Sequence, residues 1–174
     1  MRRNSYTLLL YIGALLVLML TACDDKTVFH EYEQTSASGW EKNDVLSFTV
    51  PPIQETGNYT EEVGMRINGT FPFRGLNLII EQTKLNTGEK QYDTLACELF
   101  NKGGYPQGKG VSQYQYQFPL KTLQLNKDDS LYIEIRHDMK REMLPGITDV
   151  GIKLSKTSRA KKVATRIKAQ KDKQ

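Results

Sequence analysis

Seven short runs occupy the chain between Val45 and Leu154, each rich in β-branched or aromatic residues and bounded by Gly, Pro, Asn or Asp. They are 45–50, 63–71, 76–83, 91–100, 113–118, 131–136 and 147–154. Most alternate apolar with polar residues, as in Tyr114, Tyr116 and Phe118, in Leu131, Ile133 and Ile135, and in Val150, Ile152 and Leu154. A period of two puts successive side chains on opposite faces, which is the signature of a half-buried strand. Asn86-Thr87-Gly88-Glu89 suits a hairpin turn between two of the runs. Strands of this length and spacing predict an all-β domain: an antiparallel β-sandwich of about seven to eight strands, jelly-roll-like or immunoglobulin-like, with little helix. The one helical turn expected is His137 to Leu144, stopped by Pro145-Gly146.

The two ends differ from this middle. Met1-Arg2-Arg3 is followed by 14 almost wholly apolar residues, Thr7 to Leu20. A bilayer core takes about 20 apolar residues, so the run is short for a permanent span and fits the core of a signal peptide. It ends in Leu20-Thr21-Ala22-Cys23, which resembles a bacterial lipobox. That motif implies cleavage before Cys23 and acylation of its thiol and freed amine, two or three chains being needed for stable anchoring. Residues 1–22 are therefore expected as a lipoprotein signal peptide, 23–38 as a lipid-anchored tether, 39–155 as the sandwich and 156–174 as a basic, disordered tail. Asp24 and Asp25, directly after the lipidated cysteine, are expected to act as a sorting signal.

Charge follows the same division. The tail carries eight basic residues and one acid, and the leader two arginines, which leaves 14 basic and 19 acidic residues, a net −5, between Cys23 and Ser155. The overall +4 thus belongs to a mildly acidic body with a basic end. An exported chain makes nucleic acid an improper partner, and the tail's expected contact is anionic lipid or an acidic partner. With Cys23 lipidated, Cys97 has no cysteine to pair with and reads as a small buried hydrophobe.

Signals for chemistry are thin. His137, Asp138 and Glu142 lie close in sequence, but no further His or Cys cluster completes a metal site, so no catalytic residue, metal or cofactor is expected. The glycines of 103–110 lack the Lys-Ser/Thr of a phosphate loop and read as a flexible hairpin connection. Trp40, the single tryptophan, either plugs one end of the core or lies exposed as a partner anchor. Trp40, Tyr105 and Tyr114 are the candidate partner contacts, and as an exposed row they would stack on a sugar. Asp93-Thr94-Leu95 and Asp129-Ser130-Leu131 match a short O-glycosylation triplet that chance also produces often.

Several stretches together resemble the gliding-motility lipoprotein GldH family of Bacteroidetes. They are Phe29 and Tyr32 after the lipobox, Gly39-Trp40-Glu41-Lys42-Asn43-Asp44, Arg66 before Phe71-Pro72-Phe73, Asp93-Thr94-Leu95 and the Gly103 to Gly108 loop. His137-Asp138-Met139 and Leu144-Pro145-Gly146-Ile147-Thr148-Asp149-Val150-Gly151 complete the set. The resemblance implies an envelope lipoprotein with no enzymatic activity, an interaction component of gliding or surface-protein assembly machinery. It further implies membrane attachment through the lipid, partners in an envelope complex, and an outer-membrane address with exposure at the cell surface as an extension of it. The alternative is a carbohydrate-binding surface lipoprotein.

Overall fold

The structure, a computed structural model, describes residues 27–157. Ten strands follow one another: β1 (Thr27–Gln34), β2 (Trp40–Glu41), β3 (Leu46–Val50), β4 (Gly57–Asn68), β5 (Gly75–Lys84), β6 (Lys90–Glu98), β7 (Gln113–Leu125), β8 (Leu131–His137), β9 (Met143–Leu144) and β10 (Ile147–Lys156). They form two four-stranded sheets, β1-β10-β4-β7 and β3-β8-β5-β6, plus a two-stranded ribbon, β2-β9. Every pairing is antiparallel. The expected antiparallel sandwich is what forms.

The period-two runs become the core. Val63, Met65 and Ile67 of β4, Leu78 and Ile80 of β5, Ile133 and Ile135 of β8 and Val150, Ile152 and Leu154 of β10 are all fully buried. The hairpin joining β5 to β6 closes as its turn residues dictate. Gly88 takes φ +70° and its N–H donates to the Lys84 carbonyl at 2.7 Å.

Two expectations are corrected here. Residues 27–34, placed in a tether reaching Ser38, are instead β1, an edge strand paired along its length with β10. Only Phe29 of that strand is buried, which is why it left no hydrophobic alternation to read. The helical turn at 137–144 is absent as well. His137 ends β8, the Asp138 N–H donates to the Asn77 carbonyl at 2.8 Å, and Met143-Leu144 is β9. The carbonyls a helix would use are taken by Lys42, whose N–H bonds Glu142 O at 2.8 Å and whose Nζ bonds Met139 O at 3.0 Å.

The outer edge of β7 carries its own protection. Pro119 falls where an outward N–H would stand, so its missing donor costs no ladder bond to β4. Immediately beyond it a bulge between Glu61 and Glu62 throws Leu120 out of register, which spoils the edge as a template for another strand.

Candidate functional site

The solvent face of the β1-β10-β4-β7 sheet is laid out by the strand registers. Tyr32, Gly151, Gly64 and Gln117 stand side by side across the four strands, and Gln34, Asp149, Arg66 and Gln115 form the next row. Both central positions of the first row are glycine, and the reason is steric. A Cβ on Gly151 would lie 2.7 Å from Tyr32 Cδ1, and one on Gly64 would strike the Tyr32 hydroxyl. The tyrosine therefore lies flat from β1 across β10 and β4, with its hydroxyl toward Gln115 Nε2 at 3.4 Å.

Arg66 closes over this ring. Its Cζ is 4.2 Å from the ring centroid, a cation–π contact, and its Nη1 is 3.6 Å from Asp149 Oδ1. Asp149 Oδ2 accepts from the Thr148 hydroxyl at 2.7 Å, which in turn accepts from Gln113 Nε2 at 2.6 Å. Burial raises the Tyr32 hydroxyl above its ordinary range, and Arg66 only partly offsets this, so the ring is neutral at any physiological pH. The network fixes a flat, polar, aromatic surface. The Asp149 carboxylate is shared between the Thr148 hydroxyl and the Arg66 guanidinium, so its charge is already countered within the network.

At the β7 border this face meets a cleft of about 520 Å³. Its far wall is the loop after β6, which the sequence suggested was flexible. In the fold it is tied down: the Asn101 side chain accepts from the Gly103 and Tyr105 N–H groups at 2.9 and 3.0 Å, and Lys109 and Gln115 exchange two backbone bonds of 2.9 Å.

The sequence-based site residues do not come together. Trp40 is fully buried, edge-on to His137 with ring centroids 5.2 Å apart, and its Nε1–H donates to the Asp44 carbonyl at 3.0 Å. It is the plug of the core and cannot anchor a partner. Tyr105 is 71% exposed in the loop, whereas Tyr114 is half-buried against the core, so no aromatic row forms. Cys23, Asp24 and Asp25 lie outside the described residues. His137 is buried with Nδ1 accepting from the Met139 N–H at 3.4 Å; burial, helped by the Lys42 charge, lowers its pKa and keeps it neutral. Among the described residues no three or more His, Cys, Asp or Glu side chains are grouped to hold a metal. Burial pushes the Cys97 thiol up to about 12, which makes it inert. Of the two glycosylation-like triplets, Ser130 spends its hydroxyl on the Val50 carbonyl at 2.6 Å, while Thr94 is exposed on β6.

The Tyr32–Arg66 platform was missed as a unit because its members sit on different strands. One signal was available: Gly64 and Gly151 interrupt strand patterns, and a glycine inside a strand marks a close approach.

The motifs behind the family resemblance sort into two places. Trp40, His137, Leu144 and Gly146 pack the plugged end, with Gly146 at φ +82° where a Cβ would lie 2.8 Å from Phe71 Cα. Tyr32, Arg66, Thr148, Asp149 and Gly151 build the outer platform.

Residues 27–154 match the family described as GldH lipoprotein. The gliding motility lipoprotein GldH of Flavobacterium johnsoniae is 29% identical over 147 residues, covering 80% of this chain and 91% of that protein. Among solved structures, a Sulfurospirillum deleyianum protein is 12% identical, with 75% of this chain and 99% of that one covered at a TM-score of 0.41. A carbohydrate-binding module of a Cellvibrio mixtus lichenase is 17% identical, with 76% and 90% covered at a TM-score of 0.37. Both structural likenesses are remote. The match along β1 to β10 is with one family, and the chain belongs to it: the GldH lipoproteins.

Proposed function

We propose that this chain is a non-catalytic interaction component of a gliding-motility or surface-protein assembly machinery, held at the outer membrane by lipid on Cys23 and docking an envelope protein through the Tyr32–Arg66 face. One observation carries the docking face. A solvent-facing sheet surface has been cleared of side chains at Gly64 and Gly151 so that an aromatic ring can lie rigidly under a guanidinium. A pre-organised aromatic and arginine pair is the kind of anchor that dominates protein interfaces, because little side-chain entropy is lost on contact.

The docking face is tested by cross-linking in intact envelopes followed by identification of the captured neighbours. Tyr32→Ala is expected to deplete the principal neighbour by about tenfold, the loss of one interface anchor, while the purified variant still melts cooperatively. Recovery of the same neighbours at wild-type yield would refute the face.

The anchor is tested separately. Cys23→Ala is expected to release the protein from membranes or leave it as uncleaved precursor, and to abolish incorporation of labelled palmitate. Exchanging Asp24 and Asp25 for alanine is the matching probe of address, read by fractionation and by proteolysis of intact cells. Normal processing and membrane retention of the Cys23 variant would sink the lipid anchor.

A further inference from the structure

We propose that the cleft along the outer edge of β7 binds a neutral saccharide unit. Its volume, about 520 Å³, lies in the range that encloses small organic ligands. The polar lining is dominated by carboxamides: Gln107 from the loop and Gln115 and Gln117 from β7. Each amide offers an acceptor and two donors, the pattern that matches hydroxyl groups, which also donate and accept. The two charged lining groups, Glu98 and Lys109, are of opposite sign, so the cleft favours neither an anion nor a cation.

The apolar lining has the complementary form. Tyr116 and Phe118 are parallel within 5°, with centroids 5.9 Å apart. The Tyr116 hydroxyl is committed to the Leu99 carbonyl at 3.0 Å, which locks that ring in place, while Phe118 stays partly exposed. Phe118, partly exposed where the inward face of β7 meets its edge, lies next in sequence to Gln117 on the outward face, and such an apolar contact bordered by amides suits a pyranose, which has an apolar C–H face and a polar rim.

The backbone argues against the main competitor, an added peptide strand. Gln115 already spends both outward backbone groups on Lys109. Pro119 has no N–H, and the bulge follows it. Gln117 alone, two residues from each, keeps an outward N–H and C=O in this stretch. One free pair is too short for strand addition and sufficient for a small ligand.

Tyr32 does not line the cleft, although its hydroxyl meets Gln115, which does; Gln107 and Phe118 belong to the cleft alone, so varying them tests this inference apart from the docking face. The test uses the full chain purified in detergent, with maltotriose, mannotriose and triacetylchitotriose as neutral probes and trigalacturonate as the acidic control. Saturation-transfer NMR at about 10 mM ligand is expected to detect at least one neutral trisaccharide, with a millimolar Kd. Binding of triacetylchitotriose would point to acetylated amino-sugar glycan of the cell wall, and binding of a hexose trimer to surface or soluble polysaccharide. Phe118→Ala and, independently, Gln107→Ala are expected to weaken that binding by about tenfold. Gln107 stands in the loop away from the core, so its variant keeps the test valid if Phe118→Ala unfolds. No signal from any neutral probe, preference for trigalacturonate, or wild-type binding by the Gln107 variant would overturn the proposal.

Discussion

Replacing Trp40 with alanine is expected to destabilise the domain by about 3–5 kcal/mol, the usual cost of emptying a large aromatic site in a core. The indole is fully buried, and three things converge on it. The ring meets His137 edge-on at 5.2 Å, Nε1–H satisfies the Asp44 carbonyl, and its backbone forms the β2-β9 ribbon with Leu144. The alanine variant would leave that carbonyl and the imidazole facing a void. Trp40→Phe keeps most of the volume and forfeits only the hydrogen bond, so its expected cost is about 1–2 kcal/mol. Urea unfolding followed by far-ultraviolet circular dichroism measures both. A loss under about 1 kcal/mol for the alanine variant would mean that the end of the sandwich collapses around the gap and that Trp40 is no plug.

A pH-dependent stability loss is expected from Glu61, and Glu61→Gln should remove it. This carboxyl faces inward from β4, fully buried between the sheets. Gln82 Nε2 of β5 donates to its Oε1, and Oε2 has no hydrogen-bond partner. Burial raises its pKa from 4.5 to about 7, against the Gln82 bond and the Lys121 charge, with Asp93 adding to the rise. Lys121 relieves it little because its ammonium is held by Asp93. Below about pH 4.5 folded and unfolded chains both hold the proton and nothing is lost. Between there and about 7 only the unfolded chain ionises, so stability falls as pH rises, and the full penalty is present above the folded value. At 1.36 kcal/mol per unit the shift is worth up to about 3 kcal/mol. Glu61→Gln is expected to gain an amount of that order over wild type at pH 8 and very little at pH 4, as read from paired urea titrations. A gain that stays level across this range would show that the carboxyl is ionised in the fold, with water or Lys121 reaching it.

The same residue explains part of what the sequence hid. The alternation is legible from Val63 onward, yet β4 begins at Gly57, because the inward position before Val63 is a glutamate. A buried charge breaks a hydrophobic period that the backbone keeps. The interior strands β5, β8 and β10 were readable because both neighbours and the opposite sheet demand apolar residues on one face. β1 was not, since an edge strand with a single buried side chain satisfies its fold mainly through backbone bonds, which leave no trace in composition. Two-residue strands such as β2 and β9 are below any periodic signal. The docking face was legible only as scattered letters of a family pattern, because adjacency across four strands is set by register rather than by spacing along the chain.

The register of β1 against β10 also decides how the domain stands on its anchor. Thr27 pairs with Ser155, so the strand that leads in from the lipid and the strand that leads out to the basic segment share one end of the sandwich. Three residues separate Cys23 from Thr27, and fully extended they span at most about 14 Å. A lipid on Cys23 therefore gives a short mount in place of a leash. With Cys23 lipidated as proposed, that end would lie against the headgroups, and Lys156, at the same end of β10, would face the same layer. A domain mounted in that way would meet its partners in the plane of the membrane.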